Sequence, residues 1–215
     1  MRYKVFVVDD HPIVRQGLAQ MINQEPDLMV CGDAANIPDA MSAIRGLSPD
    51  AAVVDLSLEG SSGIRLIEEI MIWCPLPILV LSMHEEGLYA ERCLKSGARG
   101  YIMKKEPPMQ VIAALRKVVN GQLAVSAEIG ERLMGRAVTG KVPSAASLEE
   151  SLSNRELEVF QLIGKGMKTR EIAGSLNLSV KTIESHIDHI KRKLKIKDSR
   201  QVIMHAADFV RGPRI

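Results

Sequence analysis

Aromatic side chains are scarce, at 3% of the 215 residues, so any core in this chain must be filled by aliphatic and methionine side chains. There are only three cysteines, Cys31, Cys74 and Cys93. An odd number, widely spaced and set in apolar surroundings, excludes a disulfide framework and a zinc site and predicts reduced core thiols. No apolar run approaches the ~18 residues of a membrane span. The N-terminus enters a strand-like run with no signal-peptide pattern. A cytoplasmic protein without a membrane partner is expected. Internal repeats are absent as well. What is present is 46% hydrophobic and 25% charged residues, an ordinary balance in a length that suits two small domains.

The net charge of +2 conceals a split. Residues 1–120 carry 12 Lys/Arg against 15 Asp/Glu, whereas residues 151–215 carry 13 against 7. One half is suited to cations and the other to a polyanion. Between them "TGKVPSAAS" (Thr139–Ser147) is small, polar and proline-containing, as a linker should be, and Ser126 is placed to cap a short helix before it. These signals predict a first domain over 1–122, a linker with a short helix over 123–148 and a second domain over 149–215.

In the first 120 residues, apolar runs at 5–8, 28–32, 51–56, 78–82 and 100–103 alternate with segments of helical period at 13–23, 37–47, 63–73, 85–96 and 109–120. Strands with no polar face, separated by helices, predict a parallel sheet covered on both sides. Five such units fit an α/β flavodoxin-like fold with strand order 2-1-3-4-5, whose ligands bind where strands 1 and 3 end side by side.

Five polar residues sit at the ends of these runs. Asp9 and Asp10 follow strand 1, Asp55 strand 3, Ser82 strand 4 and Lys104 strand 5. Alone, an Asp after a strand is usually a helix cap; five matched positions point to one site. Adjacent carboxylates repel, and a divalent cation between Asp9 and Asp10 relieves this. Mg²⁺, a hard ion taking oxygen ligands, suits them. The chemistry that fits is phosphoryl transfer to Asp55, a carboxylate nucleophile. The metal bridges the two anions, Lys104 neutralises a phosphoryl oxygen and the Ser82 hydroxyl donates to the phosphoryl group.

"VVDDHPIVRQGL", "AVVDLSLEGSSGI", "LVLSMH" and "GARGYIMKK" resemble the receiver domain of two-component response regulators, in the NarL/FixJ-type form. The resemblance implies a sensor histidine kinase as phosphoryl donor to Asp55, the Ser57 backbone carbonyl as a further metal ligand, and a switch pair of Ser82 and Tyr101, whose ring turns inward. Composition alone makes Tyr101 a half-buried strand aromatic. The sequence departs from the family in two places: Leu58 and Glu59 stand where Met-Pro is usual, and Lys105 replaces the proline that often follows the lysine. Leu for Met conserves apolar volume; Glu59 adds a negative charge near the site. Both bear on the rate and lifetime of phosphorylation.

In the second half, "SNRE" (Ser153–Glu156) is a capping box opening a helix with Leu157, Phe160 and Ile163 on one stripe. A short helix over 168–177 and a longer one capped by Ser179 follow. The longer helix turns Val180, Ile183, Ile187, Ile190 and Leu194 to one side and Lys181, Ser185, Asp188, His189 and Arg192 to the other. This is a helix-turn-helix pattern in a small all-α domain, with the later helix entering the major groove. Residues 149–212 resemble the LuxR-type DNA-binding domain. Lys181, Thr182, Arg192 and Lys193 are expected to contact phosphate, and His186 to pack or contact phosphate. The resemblance puts Glu184, Ser185 and Asp188 among base-contacting positions, and Lys168, Thr169 and His189 at the DNA surface. The final helix offers Val202, Ile203, Ala206, Phe209 and Val210, enough for the core and for dimer contacts.

The expected function is a response regulator that binds double-stranded promoter DNA, dimerises when phosphorylated on Asp55 and performs no catalysis beyond slow loss of its own phosphate. A DNA-binding regulator driven by a partner or ligand is the alternative. An aspartyl-phosphate phosphatase fits less well, because no lid or substrate-pocket insertion is visible.

Overall fold

The computed structural model describes residues 2–58, 61–139 and 151–211. They form two compact units, one through residue 140 and one from residue 141. Most of the linker segment 139–147, and Glu59, lie outside the described residues; Thr139 itself ends a helix.

The first unit runs β1 (Tyr3–Val8), α1 (Pro12–Asn23), β2 (Leu28–Ala34), α2 (Ile37–Leu47), β3 (Ala51–Asp55), a hairpin of β4 (Ser57–Leu58) and β5 (Ser61–Ser62), α3 (Gly63–Trp73), β6 (Ile78–Ser82), α4 (Glu86–Lys95), β7 (Gly100–Met103), α5 (Pro108–Val119) and α6 (Ala127–Thr139). The sheet is parallel with order β2-β1-β3-β6-β7. Leaving out the hairpin, that is the expected 2-1-3-4-5. On one face Val5, Val7, Val53, Leu79 and Leu81 pack with Leu18 and Ile22 of α1 and Ile112, Leu115 and Val118 of α5. The alternate residues Phe6, Val8, Ala52, Val54, Ile78 and Val80 are equally buried, because the opposite face is covered as well. Strands buried on both faces read as unbroken apolar runs for this reason.

Helix α6 belongs to this first unit. After α5 the chain returns along the sheet edge, where Gly100 and Ala124 form a bridge and the Tyr101 N–H donates to the Ala124 carbonyl at 2.8 Å. Ser126 caps the helix as expected, its Oγ accepting from the Ile129 N–H at 3.3 Å, while Glu86 of α4 accepts from the Ser126 N–H at 2.8 Å. Ile129 is buried, and Arg132 pairs with Glu91 of α4 at 3.0 Å.

The second unit comprises α7 (Asn154–Gly164), α8 (Thr169–Ser175), α9 (Val180–Leu194) and α10 (Ser199–Arg211). The capping box is present: Ser153 Oγ accepts from the Glu156 N–H at 3.3 Å, and Glu156 Oε2 accepts from the Ser153 N–H at 2.7 Å. Left-handed backbone at Gly166 (φ 84°) and Asn177 (φ 51°) turns the chain after α7 and between α8 and α9, a conformation that glycine and asparagine tolerate best. Ser179 caps α9, accepting from the Thr182 N–H at 3.1 Å. Leu157, Phe160, Ile163, Ile183, Ile190, Leu194, Val202 and Ala206 make the core. Of the stripe expected on α9, Ile187 is half-buried and Val180, at the first helical position, is exposed. Among the described residues, no helix is long and apolar enough to cross a membrane.

Candidate functional site

Register explains why four residues distant in sequence meet. Val8 lies beside Val54, Asp55 beside Leu81 and Ser82 beside Met103. Strands in parallel end on one side, so the next residue of each, Asp9, Asp55, Ser82 and Lys104, falls on one edge. Asp9, Asp55 and Ser82 are buried at 1, 3 and 0% exposure. Burial of such polar groups is sustained only by partners.

Lys104 supplies the main one. Its Nζ lies 2.6 Å from Asp9 Oδ2 and 2.7 Å from Asp55 Oδ2. The remaining oxygens take backbone donors: Asp9 Oδ1 accepts from the His11 N–H at 2.8 Å, and Asp55 Oδ1 from the Ser57 N–H at 3.2 Å. Asp9 thus keeps its local turn-forming role while facing the site. Burial pushes the Asp55 carboxyl up to about 6, against the opposing pull of Lys104. Burial lowers the Lys104 ammonium, but Asp55 and Asp9 outweigh it and raise its pKa. The site therefore holds a carboxylate that is ionised at neutral pH yet poorly solvated, beside a cation that stays charged.

Asp9, Asp10, His11 and Asp55 each offer one ligand atom within 4.8 Å of the others. Asp10 Oδ1 is closed off from solvent and accepts no hydrogen bond, although His11 Nδ1 stands 2.6 Å away. A carboxylate oxygen shielded from solvent, beside two further carboxylates, fits a hard divalent cation. His11 was absent from the expected set, and its nitrogen is the donor such an ion least prefers.

Behind the carboxylates lies a network that the strand pattern does not reveal. Ser82 Oγ accepts from the His84 N–H at 3.1 Å, and the Tyr101 hydroxyl donates to the His84 carbonyl at 2.8 Å. Tyr101 is buried at 1% exposure, not half-buried, with its ring inside the fold; burial raises its hydroxyl pKa despite a hydrogen bond with Ser82. Gly63 closes the far side of the loop that follows Asp55. A Cβ there would clash with the Asp55 carbonyl oxygen, so no other residue lets α3 start so close to Asp55. The "SSG" at 61–63 carried that signal, as "LSMH" did for His84. Leu58 is buried, so the apolar volume expected at that position is filled.

In the second unit, one open groove on α9 collects Lys181, Glu184, Ser185, Asp188, His189 and Arg192. Lys168 is exposed and Thr169 half-buried at the start of α8. Not all expected contacts are equally available. Lys193 Nζ lies 2.6 Å from Glu156 Oε2, and His189 Nδ1 lies 3.5 Å from Glu156 Oε1. Lys193 thus tethers α9 to the buried cap of α7. Thr182 Oγ1 shares a 2.8 Å hydrogen bond with Ser179, and Asp188 pairs with Lys191 at 3.2 Å. His186 is half-buried, and burial lowers its pKa, in keeping with packing. On α10, Val202 and Ala206 face the core, Phe209 meets Phe160 at 5.7 Å, and Ile203, Met204 and Val210 remain exposed.

Comparison with known proteins agrees with both halves. Residues 5–116 match the response regulator receiver domain, and residues 150–206 match the bacterial regulatory proteins of the luxR family. The chain is 36% identical to the oxygen regulatory protein NreC of Staphylococcus epidermidis over 209 residues, covering 94% of this chain and 96% of that protein. NreC of Staphylococcus carnosus is 35% identical over 208 residues, with the same coverage. Among solved structures, RcsB of Salmonella enterica bound to promoter rprA in the presence of phosphomimetic BeF3⁻ is 26% identical with TM-score 0.60, covering 97% of this chain and 100% of that one. A LuxR-family two-component response regulator from Aurantimonas sp. is 32% identical with TM-score 0.59, covering 64% of this chain and 99% of that one.

Proposed function

Because the chain belongs to the response regulators that join a receiver domain to a LuxR-family DNA-binding domain, we propose that it is a transcription regulator switched by phosphorylation of Asp55. The observation that carries this reading is the Lys104 ammonium held between Asp9 and Asp55 at the sheet edge. A lysine spanning two buried carboxylates can follow the acceptor from carboxylate to acyl phosphate, balancing charge in both states.

The donor is a phosphohistidine of a sensor histidine kinase. As an Asp55 oxygen attacks, the new P–O bond forms, the P–N bond breaks and the departing imidazole nitrogen takes up a proton. Asp55 is ionised for this at neutral pH, since its pKa lies near 6. Asp9, Asp10, Asp55 and the Ser57 carbonyl would hold Mg²⁺, and the clustering of the three carboxylates within 4.8 Å supports that fit. When bound, that ion supplies the positive charge that lets two anions approach. Lys104 neutralises a second phosphoryl oxygen, and Ser82 turns its hydroxyl toward the phosphoryl group. The burial of the Tyr101 ring supports reading it as the second member of the switch pair. The only turnover is slow hydrolysis of the acyl phosphate.

The output is cytoplasmic binding of promoter DNA by α8 and α9. Lys168, Thr169, Lys181, Thr182 and Arg192 meet phosphates, Lys193 reaches one only by leaving Glu156, and Glu184, Ser185, Asp188 and His189 face base edges. Phosphorylation shifts the chain toward dimers, and the exposed Ile203, Met204 and Val210 of α10 offer apolar surface for the contact. The solved RcsB complex, with promoter DNA and a phosphomimetic together, supports coupling of the two events.

Incubation with a small-molecule phosphodonor and Mg²⁺, followed by mass spectrometry and DNA-binding titration, tests the reading. One phosphoryl group on Asp55 and tighter promoter binding are expected. A chain that labels but binds DNA with unchanged affinity points to control by a partner or ligand instead, and a chain that does not label overturns the proposal.

A further inference from the structure

His84 has no role in the chemistry so far, yet four elements meet on it. Its N–H donates to Ser82 Oγ at 3.1 Å, and its carbonyl accepts from the Tyr101 hydroxyl at 2.8 Å. The imidazole Nε2 shares a 2.8 Å hydrogen bond with Ser57 Oγ. The ring stacks on Tyr89 of α4 with centroids 4.6 Å apart and an interplanar angle of 26°. Tyr89 is itself buried at 1% exposure, so the imidazole rests against a fixed surface.

Ser57 is the critical contact. Its N–H donates to Asp55 Oδ1 at 3.2 Å, and its hydroxyl is bound to His84. The acceptor carboxylate is therefore oriented by a peptide whose side chain is anchored across the site. The hairpin that holds Ser57 has only two-residue strands, which contribute little rigidity of their own. The anchor from His84 matters more because the hairpin is so short.

We infer that His84 is a positioning residue for phosphorylation: its imidazole, braced on Tyr89, fixes the Ser57 peptide and so the orientation of Asp55 toward Mg²⁺ and the phosphoryl group. The inference rests on the function proposed above. It assigns a hydrogen-bonding role to the ring, and it predicts that Ser57 and His84 act as one unit. An outer hydrogen-bond partner commonly affects a metal site by 10–100-fold; a half-buried pair such as this belongs at the lower end, about tenfold.

Three variants of the full chain separate the contributions. His84→Phe keeps the ring on Tyr89 and removes the hydrogen bond. His84→Gln restores an amide that can reach Ser57 Oγ but loses the aromatic stack. Ser57→Ala removes the hydroxyl from the other side and alters no core residue. Mg²⁺ affinity is read by calorimetry on the unphosphorylated chain, and phosphoryl uptake by mass spectrometry over time. His84→Phe and Ser57→Ala are expected to weaken Mg²⁺ binding and slow uptake by about tenfold each. The double variant should be no worse than either, and His84→Gln should recover most of the loss. Wild-type behaviour of both single variants, additive losses in the double variant, or equal impairment by Phe and Gln overturns the positioning role. In each of those cases labelling of the wild-type chain leaves the proposed function standing. A wild-type chain that neither binds Mg²⁺ nor labels overturns both.

Discussion

Each of the two units buries a carboxylate against a lysine, and the two carboxylates respond in opposite ways. Asp55 is 3% exposed with Lys104 at 2.7 Å; Glu156 is 3% exposed with Lys193 at 2.6 Å. Yet Asp55 is pushed up to about 6, whereas Glu156 is held below its ordinary value. Burial raises both. For Glu156 the Lys193 ammonium together with the Ser153 N–H and hydroxyl outweighs it. For Asp55, Lys104 is shared with Asp9, and Asp9 itself adds a repelling charge. The lesson concerns neighbours more than burial. A carboxylate with a dedicated partner and a complete set of donors is part of the framework, whereas one that shares its cation with a second anion is held ready for another ligand.

Substitution of the two carboxylates should separate these roles most sharply. Asp55→Asn should abolish phosphoryl uptake and leave the receiver at least as stable as wild type at neutral pH. The neutral amide avoids the burial penalty, and Lys104 keeps Asp9; a pKa raised by about two units corresponds to a gain on the order of 1–3 kcal/mol. Mass spectrometry and denaturant unfolding of the full chain measure both. Equal labelling, or a large loss of stability, would place Asp55 with the framework residues and erase the contrast.

Glu156→Gln should do the reverse. It removes the charge that Lys193 and His189 face and weakens the capping box of α7, at a cost of about 2–3 kcal/mol to the second unit. Phosphorylation of Asp55 should be unaffected. Unfolding of the second unit followed by circular dichroism checks the size of the loss; a change under about 0.5 kcal/mol would mean that the Glu156 network is replaceable by water.

The same contrast has a pH signature. Folded Glu156 binds its proton less readily than the unfolded chain does, so its stabilisation is complete above the ordinary value of 4.5 and disappears as pH falls through the lower folded value. Folded Asp55 binds its proton more readily. Its contribution favours the folded state at low pH and is lost as pH rises from its ordinary 3.8 through about 6. The stability difference between wild type and Glu156→Gln should therefore shrink below pH 4.5, whereas that between wild type and Asp55→Asn should grow from pH 4 to 6. Parallel trends for the two pairs would break the distinction.

Much of this was legible in the sequence, for physical reasons that can be named. A parallel sheet fixes which strand ends share an edge, so Asp9, Asp55, Ser82 and Lys104 could be assembled from apolar runs alone. Local hydrogen bonds at Ser153 and Ser179 follow from three-residue spacing and were equally visible. Contacts set by side-chain geometry between distant segments were not. The Ser57–His84 bond, the Tyr101 hydroxyl on the His84 carbonyl and the Glu156–Lys193 pair leave no periodicity to detect. Nor does a hairpin with two-residue strands. Helix α6 was foreseen, but its attachment to α4 through Glu86 and Glu91 was not, because helical period shows which face is apolar and not what covers it.

The smallest effects should come from the open groove of α9, where solvent screens each charge and no partner is buried. Lys181 is exposed at its rim. Lys181→Ala should weaken binding to all sequences by a similar factor and lower the salt dependence by about 0.9 unit of log–log slope, the amount expected for one lost phosphate contact. Glu184 lines the same groove and carries the opposite charge. Removing it with Glu184→Ala should raise affinity for nonspecific DNA, because an anion no longer faces the phosphates. Discrimination at one base pair should fall by roughly 1–3 kcal/mol, since an acid at that place can accept from a cytosine amino group. Titrations of both variants against a preferred site and its single-base changes, at several salt concentrations, distinguish the two kinds of contact. If Glu184→Ala leaves every base preference intact, Glu184 only tunes the local charge, and sequence readout must come from Ser185, Asp188 and His189.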